Sequence, residues 1–307
     1  MTRKLKASNL RALGYLAGPV VLLVSSALLF RSNSRVSYLL GTILLSVFFM
    51  QTFILLHECG HLNYFENKAT NHIFGHVFGL LSGIPFYTWR HMHNLHHHWT
   101  GWRDLDPTTE KTVKPGESRI TQVVVNTCWW LFIPIFYLIY LFSNYWNLLK
   151  IKRFVPPAVL KLAVINLSLY LSFYFVIMYL FPAFVLYYLL PGFALSLVWK
   201  ELLIMTQHTH VEIPVSEGAE VRPIPFMEQV KYTRSFYTFK FVARYFLLNF
   251  NLHEVHHAYP GLPAYWLDQI DLDIPRTPKF SKWLITAKSM KGEDYIFRTS
   301  KHTGIKF

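Results

Sequence analysis

Residues 36–61 read VSYLLGTILLSVFFMQTFILLHECGH. The first 21 of them, Val36 to Leu56, carry no charge, and the run ends in His57-Glu58-Cys59-Gly60-His61. A helix needs roughly 20 apolar residues to cross about 30 Å of hydrocarbon. The stretch therefore predicts a membrane span that delivers two histidines to the membrane–water boundary. A second uncharged run of 19 residues, Ala12 to Phe30, lies just upstream, separated by Arg31-Ser32-Asn33-Ser34-Arg35. The two read as a helical hairpin. The earlier run has no clear small-x-small cleavage pattern and a further span follows at once, which argues against a secretory leader.

Composition points the same way. Only 15% of the 307 residues are charged and 52% are hydrophobic, whereas an ordinary soluble domain is about 25% charged. The aromatic and apolar content excludes a disordered chain. Two cysteines, Cys59 and Cys128, exclude a disulfide-stapled scaffold. The net charge is +13, yet from Thr206 onward 13 Lys and Arg face 10 Asp and Glu. Such a surface suits anionic headgroups or an acidic electron carrier; no motif supports nucleic acid as a partner. Two more uncharged runs follow, Ile120 to Leu149 and Leu162 to Trp199, of 30 and 38 residues.

The 15 histidines are clustered: nine lie between His57 and His98 and five between His208 and His257. Three local patterns stand out. His57 and His61 are spaced i, i+4. His93, His96 and His97 are spaced i, i+3, i+4, and His253, His256 and His257 repeat that pattern. On a helix these positions share a face, and neutral imidazole is a common ligand of iron, zinc and copper. At this histidine frequency about 0.04 His-x-x-His-His matches are expected by chance, and two are present. His72 and His76 read as structural, His91 and His98 as supporting the ligand histidines from behind or facing solvent, and His302 as surface. His57-Glu58-x-x-His61 and His253-Glu254-x-x-His257 also match the zinc metalloprotease pattern. That chemistry uses about three protein ligands and leaves His93, His96, His97 and His256 without a role.

The three patterns together resemble the membrane fatty acid desaturase family, the histidine-box di-iron enzymes, and within it the acyl-lipid omega-6/omega-3 branch. Gly60-His61, Pro85-Phe86-Tyr87-Thr88-Trp89, Thr100-Gly101 and Gln207-His208-Thr209-His210 with Pro214 extend the likeness over about residues 40–265. Asn94-Leu95 and His98-Trp99 depart from that branch, where basic and small polar residues are usual. The resemblance implies two irons held by His57, His61, His93, His96, His97, His208, His253, His256 and His257, with O2 as co-substrate. It implies a cis double bond placed in a membrane lipid-linked acyl chain and an external electron donor of ferredoxin or cytochrome b5 type. Hydroxylases and carotenoid ketolases or hydroxylases of the same superfamily carry similar boxes and stay open as alternatives. Glu58, Asp104, Asp106 and Glu254 are candidates to hold the outer nitrogens of the imidazoles. In the fourth segment residues two apart lie about 200° apart around a helix, so His208 and His210 cannot both face one metal; the resemblance, and nearness to the apolar run, imply His208 as the ligand and His210 behind the ligands or at the surface.

One shared site requires all boxes on one side of the membrane, so the chain between His97 and His208 crosses an even number of times. The 38-residue run, broken by Phe181-Pro182 and bounded by Lys161 and Lys200, then crosses twice. The 30-residue run crosses not at all, in keeping with Asn126, Pro134, Asn144 and Asn147 within it. The expected protein is an all-α integral membrane protein of one domain, residues 1–307. Its four transmembrane helices fall at about 12–30, 36–56, 160–181 and 183–204. Residues 57–119 and 206–307 form a cytoplasmic histidine-box cap, and 120–149 are interfacial or re-entrant. Arg31 and Arg35 would be the only extracytoplasmic Lys or Arg, as the positive-inside rule wants, and a bacterial inner membrane is the expected setting.

Overall fold

The computed structural model describes residues 5–32, 34–112, 118–272 and 277–307. The chain is an all-α integral membrane protein. Among the described residues four helices are long and apolar enough to cross a membrane: α1 (Asn9–Phe30), α2 (Arg35–Gly60), Pro157–Leu180 and Pro182–His208. Ser8 opens α1 by accepting the Arg11 N–H, and Ser34 opens α2 by accepting that of Ser37. Ser26 Oγ donates to Gly41 O at 2.8 Å and fastens the hairpin between them. α2 is the central element: 67% of its apolar window is buried, against 11% for α1. From Phe48 to Gly60 every residue of it is buried, as in a helix enclosed on all sides.

Past the first histidine box the chain makes α3 (Lys68–Ser82) and α4 (Phe86–Trp99). They meet at Gly83, whose φ of 77° closes α3 in the left-handed conformation that glycine accepts without cost. The uncharged stretch from Ile120 folds as α5 (Arg119–Trp130) and α6 (Ile135–Leu141), the latter continuing as a π-turn to Trp146. The two pieces bend by 109° at the break, where Phe132 has φ 56° and Pro134 has no N–H. The spans Pro157–Leu180 (α7) and Pro182–His208 (α8) divide at Phe181-Pro182.

α8 runs through Lys200 and Glu201 to His208. Both charges are buried and partnered. Lys200 Nζ donates to Ser82 O at 3.3 Å. Glu201 Oε2 accepts the Phe136 and Tyr137 N–H groups, each at 3.0 Å, and so caps α6. With partners supplied, two charges inside a helix need not end it.

The described residues after α8 are not a layer wholly apart from the spans. The π-turn Val242–Phe246 sits against α1 and α2, and Gln51 Nε2 of α2 donates to Tyr245 O at 2.8 Å and Phe246 O at 3.1 Å. A short helix, α9 (His253–Ala258), follows.

Candidate metal centre

Three helices and one helix end converge. α2 brings His57, and His61 is its C-cap; α4 brings His93, His96 and His97; α9 brings His253, His256 and His257; α8 ends on His208. Their ring nitrogens form two groups, each with its ligand atoms within 4.8 Å of one another: His57, His61, His93, His97 and His256, and His96, His208, His253 and His257. The division follows helix phase. An i+4 residue lies about 40° to one side of residue i and an i+3 residue about 60° to the other. The pairs 57/61, 93/97 and 253/257 each stay within one group, while the i+3 residues His96 and His256 cross to the other.

The nitrogens crowd as ligands of a cation would. Within the first group His93 Nε2 lies 3.1 Å from His61 Nε2 and 3.0 Å from His97 Nε2, and His256 Nε2 lies 3.0 Å from His97 Nε2. In the second, His253 Nε2 is 2.8 Å from His208 Nε2 and 3.1 Å from His257 Nε2. Two nitrogens about 2.1 Å from one ion at a right angle are roughly 3.0 Å apart. Hydrogen bonding cannot account for the crowding. His208 and His257 both commit Nδ1–H to an oxygen, so each presents a lone pair on Nε2. His253 Nε2 carries one hydrogen at most and cannot serve both. His57 Nε2 is buried and has no hydrogen-bond partner. The residues present therefore fit a pair of metal ions.

Oxygen acceptors set the tautomers. His57 Nδ1 donates to Glu58 Oε1 at 2.9 Å, and His96 Nδ1 to Asp106 Oδ2 at 2.6 Å, one carboxylate per group. Glu58 Oε2 also accepts the Ala264 N–H. The Asp106 carboxyl is held below the usual carboxylate range: burial opposes this, but His96 and the Thr108 hydrogen bonds outweigh it. His208 Nδ1 donates to Tyr232 O at 3.1 Å and His257 Nδ1 to Gln229 Oε1 at 2.9 Å. Gln229 Nε2 donates to His97 O at 2.7 Å and Ile224 O at 3.1 Å, which fixes the amide orientation. Burial, then neighbouring rings, pushes His61 to about 3 and His93, His97, His253, His256 and His257 well below the usual imidazole value. These rings are neutral donors.

Of the four acidic candidates, Glu58 and Asp106 reach imidazoles; Asp104 and Glu254 do not. Asp104 accepts Ser216 N–H and Oγ–H, because two residues upstream of Asp106 its carboxylate faces the opposite side of the turn. Glu254 points away from the cluster on the short α9 and accepts the Ser235 N–H at 3.0 Å. Gln229 and the Tyr232 carbonyl were not foreseen; both lie on a 3-10 helix with no pattern of its own. His210 is buried but stands apart: φ is 64°, Nε2 is 2.8 Å from Thr303 Oγ1, and the ring stacks on Tyr295. His72 and His76 pack on Phe86 and Tyr87, outside both groups.

A cavity of about 370 Å3 reaches both groups, touching His57, His93, His96, His208 and His253. Its walls near them are Phe53, Trp89, Tyr137, Ile204, Met205 and Phe250. Trp89 stacks on His93 with ring centroids 4.3 Å apart. Gly60 makes room for it: a Cβ there would lie 2.1 Å from Trp89 Cζ3.

The family model described as "Fatty acid desaturase" matches residues 33–288. A "Fatty acid desaturase" of Bacillus subtilis is 34% identical over 94 residues, 30% of this chain and 24% of that protein. An "sn-1 oleoyl-lipid 12-desaturase" of Anabaena variabilis is 24% identical over 69% of this chain and 61% of its own length. An "sn-1 acyl-lipid omega-3 desaturase (ferredoxin)" of Synechocystis is 27% identical over the same shares. The chain thus spans from about a quarter to three fifths of these relatives' lengths.

Proposed function

The chain belongs to the fatty acid desaturase family, and on that premise we propose that it is an O2-dependent di-iron enzyme that introduces a cis double bond into a membrane lipid-linked acyl chain. The observation that carries this reading is the pair of all-imidazole groups facing one apolar cavity. His57, His61, His93, His97 and His256 would hold one iron, and His96, His208, His253 and His257 the other. Bound iron would supply O2 activation and the oxidising power to take two hydrogens from adjacent methylenes. In balance, –CH2–CH2–, O2, two electrons and two protons give –CH=CH– and two waters.

The chain's own residues do the rest. The aromatic and aliphatic walls, Phe53, Tyr137 and Phe250 among them, bind the acyl chain and exclude water from the reacting carbons. Glu58, Asp106 and Gln229 keep the proton on Nδ1 of their histidines, so that Nε2 stays a donor. The two electrons come from a separate carrier. The name of the Synechocystis relative supports a ferredoxin. The boxes face the cytoplasm in this reading, with a bacterial inner membrane as the setting.

The test is expression in a host with saturated and monoenoic lipids, with fatty acid methyl esters and pigments analysed and metals measured in purified protein. New cis double bonds and two irons per chain are expected. Hydroxylated chains or ketolated pigments would move the protein to a sister activity. A single zinc, with proteolysis abolished by Glu58→Gln, would overturn the reading.

A further inference from the structure

The segment between the 3-10 helix and the third histidine box carries a row of exposed aromatic side chains. Tyr237, Phe239, Phe241 and Tyr245 are all exposed, Phe239 at 79% and Phe241 at 63%. From Phe239 to Phe250 nine of twelve residues are apolar, yet Lys240 and Arg244 interrupt the run, and no window here is long enough to span.

Two helices report how deep the segment sits, and they agree. Gln51, which donates to the Tyr245 and Phe246 carbonyls, lies six residues inside α2 from His57, or roughly 9 Å at 1.5 Å per residue. The Tyr245 carbonyl also lies against Gly18, 3.7 Å from where a Cβ would stand. Gly18 is seven residues inside α1 from Arg11, the last charge before the apolar run, or about 10 Å. Half of a hydrocarbon core is about 15 Å. Backbone at that depth must find its partners in protein, and here it does. Gln51 serves two carbonyls, Leu247 N–H reaches Val242 O, and Asn249 N–H reaches Ala243 O. Leu248 and Asn249, with φ 48° and 61°, then turn the chain back. The basic residues suit an interface. Lys240 is exposed and can extend to headgroups, and Arg244 lies 4.0 Å from Asp268.

We propose that Tyr237–Phe246 is a membrane-dipping loop. Its aromatic side chains stand in lipid, it is seated on Gln51 of α2, and it returns through Leu248-Asn249 to deliver the third histidine box. The return places Phe250 on His57, ring centroids 5.0 Å apart, three residues before His253. The proposal depends on the membrane fold and not on the metal or the reaction.

Spin labels test it in the full-length protein in lipid nanodiscs. Phe239→Cys and Phe241→Cys are labelled in a Cys128→Ser background, buried Cys59 left in place, with Leu23→Cys as a lipid reference and Glu217→Cys as a water reference. Collision rates are read with O2 and with a water-soluble nickel chelate. Labels at 239 and 241 should collide with the chelate severalfold less than the label at 217, and with O2 about as often as the label at 23. Chelate accessibility equal to that at 217 overturns the proposal. So does protection that appears only when an acidic electron carrier is added, which would make the face a protein-docking surface.

Discussion

His97 and His256, 159 residues apart in the chain, bring their Nε2 atoms to 3.0 Å. The contact joins the second and third boxes in one group, while His96, beside His97 in sequence, faces the other. The exchange is reciprocal: each i, i+4 pair takes the i+3 residue of the opposite box. Neither ligand group is complete without both helices.

Loss of iron should therefore be partial and group-specific. His256→Ala removes a donor from the five-histidine group alone, and His96→Ala one from the four-histidine group alone. Each variant should fall from two irons per chain toward one, and the double variant toward none, by elemental analysis of purified protein. Two irons retained in His256→Ala would break the link between the observed groups and the metals.

His208 and His210 should separate cleanly. His208→Ala should lose iron and activity together. His210→Ala loses the contact with Thr303 Oγ1 and the stack on Tyr295. A lost buried hydrogen bond costs about 1–3 kcal/mol, so its melting temperature in detergent should drop while its iron content holds. Iron lost from His210→Ala and kept in His208→Ala would reverse the assignment.

Gly60→Ala tests the packing behind the first box. Its Cβ would overlap Trp89, which cannot yield without leaving its stack on His93. Overpacking of this kind costs typically 1–3 kcal/mol, and the displaced ring should lower iron retention as well. Gly14→Ala, with open space around its Cβ, should leave both unchanged. Equal melting temperatures for Gly60→Ala and the parent would show that the site tolerates the shift.

The spans were legible because hydrocarbon penalises charge, and an uncharged run of 21 residues ending at His57 has few other readings. The boxes were legible because i, i+3, i+4 spacing is a local property of one helix. Their division between two groups was not, since spacing alone places His93, His96 and His97 on one face. The partners of Lys200 and Glu201 were hidden, because Ser82 and the start of α6 come near them only in the folded chain. The seating of Val242–Phe246 on Gln51 was hidden for a similar reason: Lys240 and Arg244 break the apolar run that would have advertised it.

Gln229 was illegible because its 3-10 helix carries no pattern of its own, and it offers the sharpest remaining test. Its amide holds the third box to the second, accepting His257 Nδ1–H and donating to His97 O. Gln229→Leu keeps the bulk, strands the His257 Nδ1–H without an acceptor and frees the ring to turn. Loss of such an orienting partner typically costs 10–100-fold in metal affinity. Gln229→Glu keeps the acceptor toward His257 but removes the two donated hydrogens. Iron retention against a chelator should therefore rank parent above Gln229→Glu above Gln229→Leu, with helix content by circular dichroism unchanged. If Gln229→Leu holds iron as tightly as the parent, the ring is positioned by α9 alone and the amide is a packing residue.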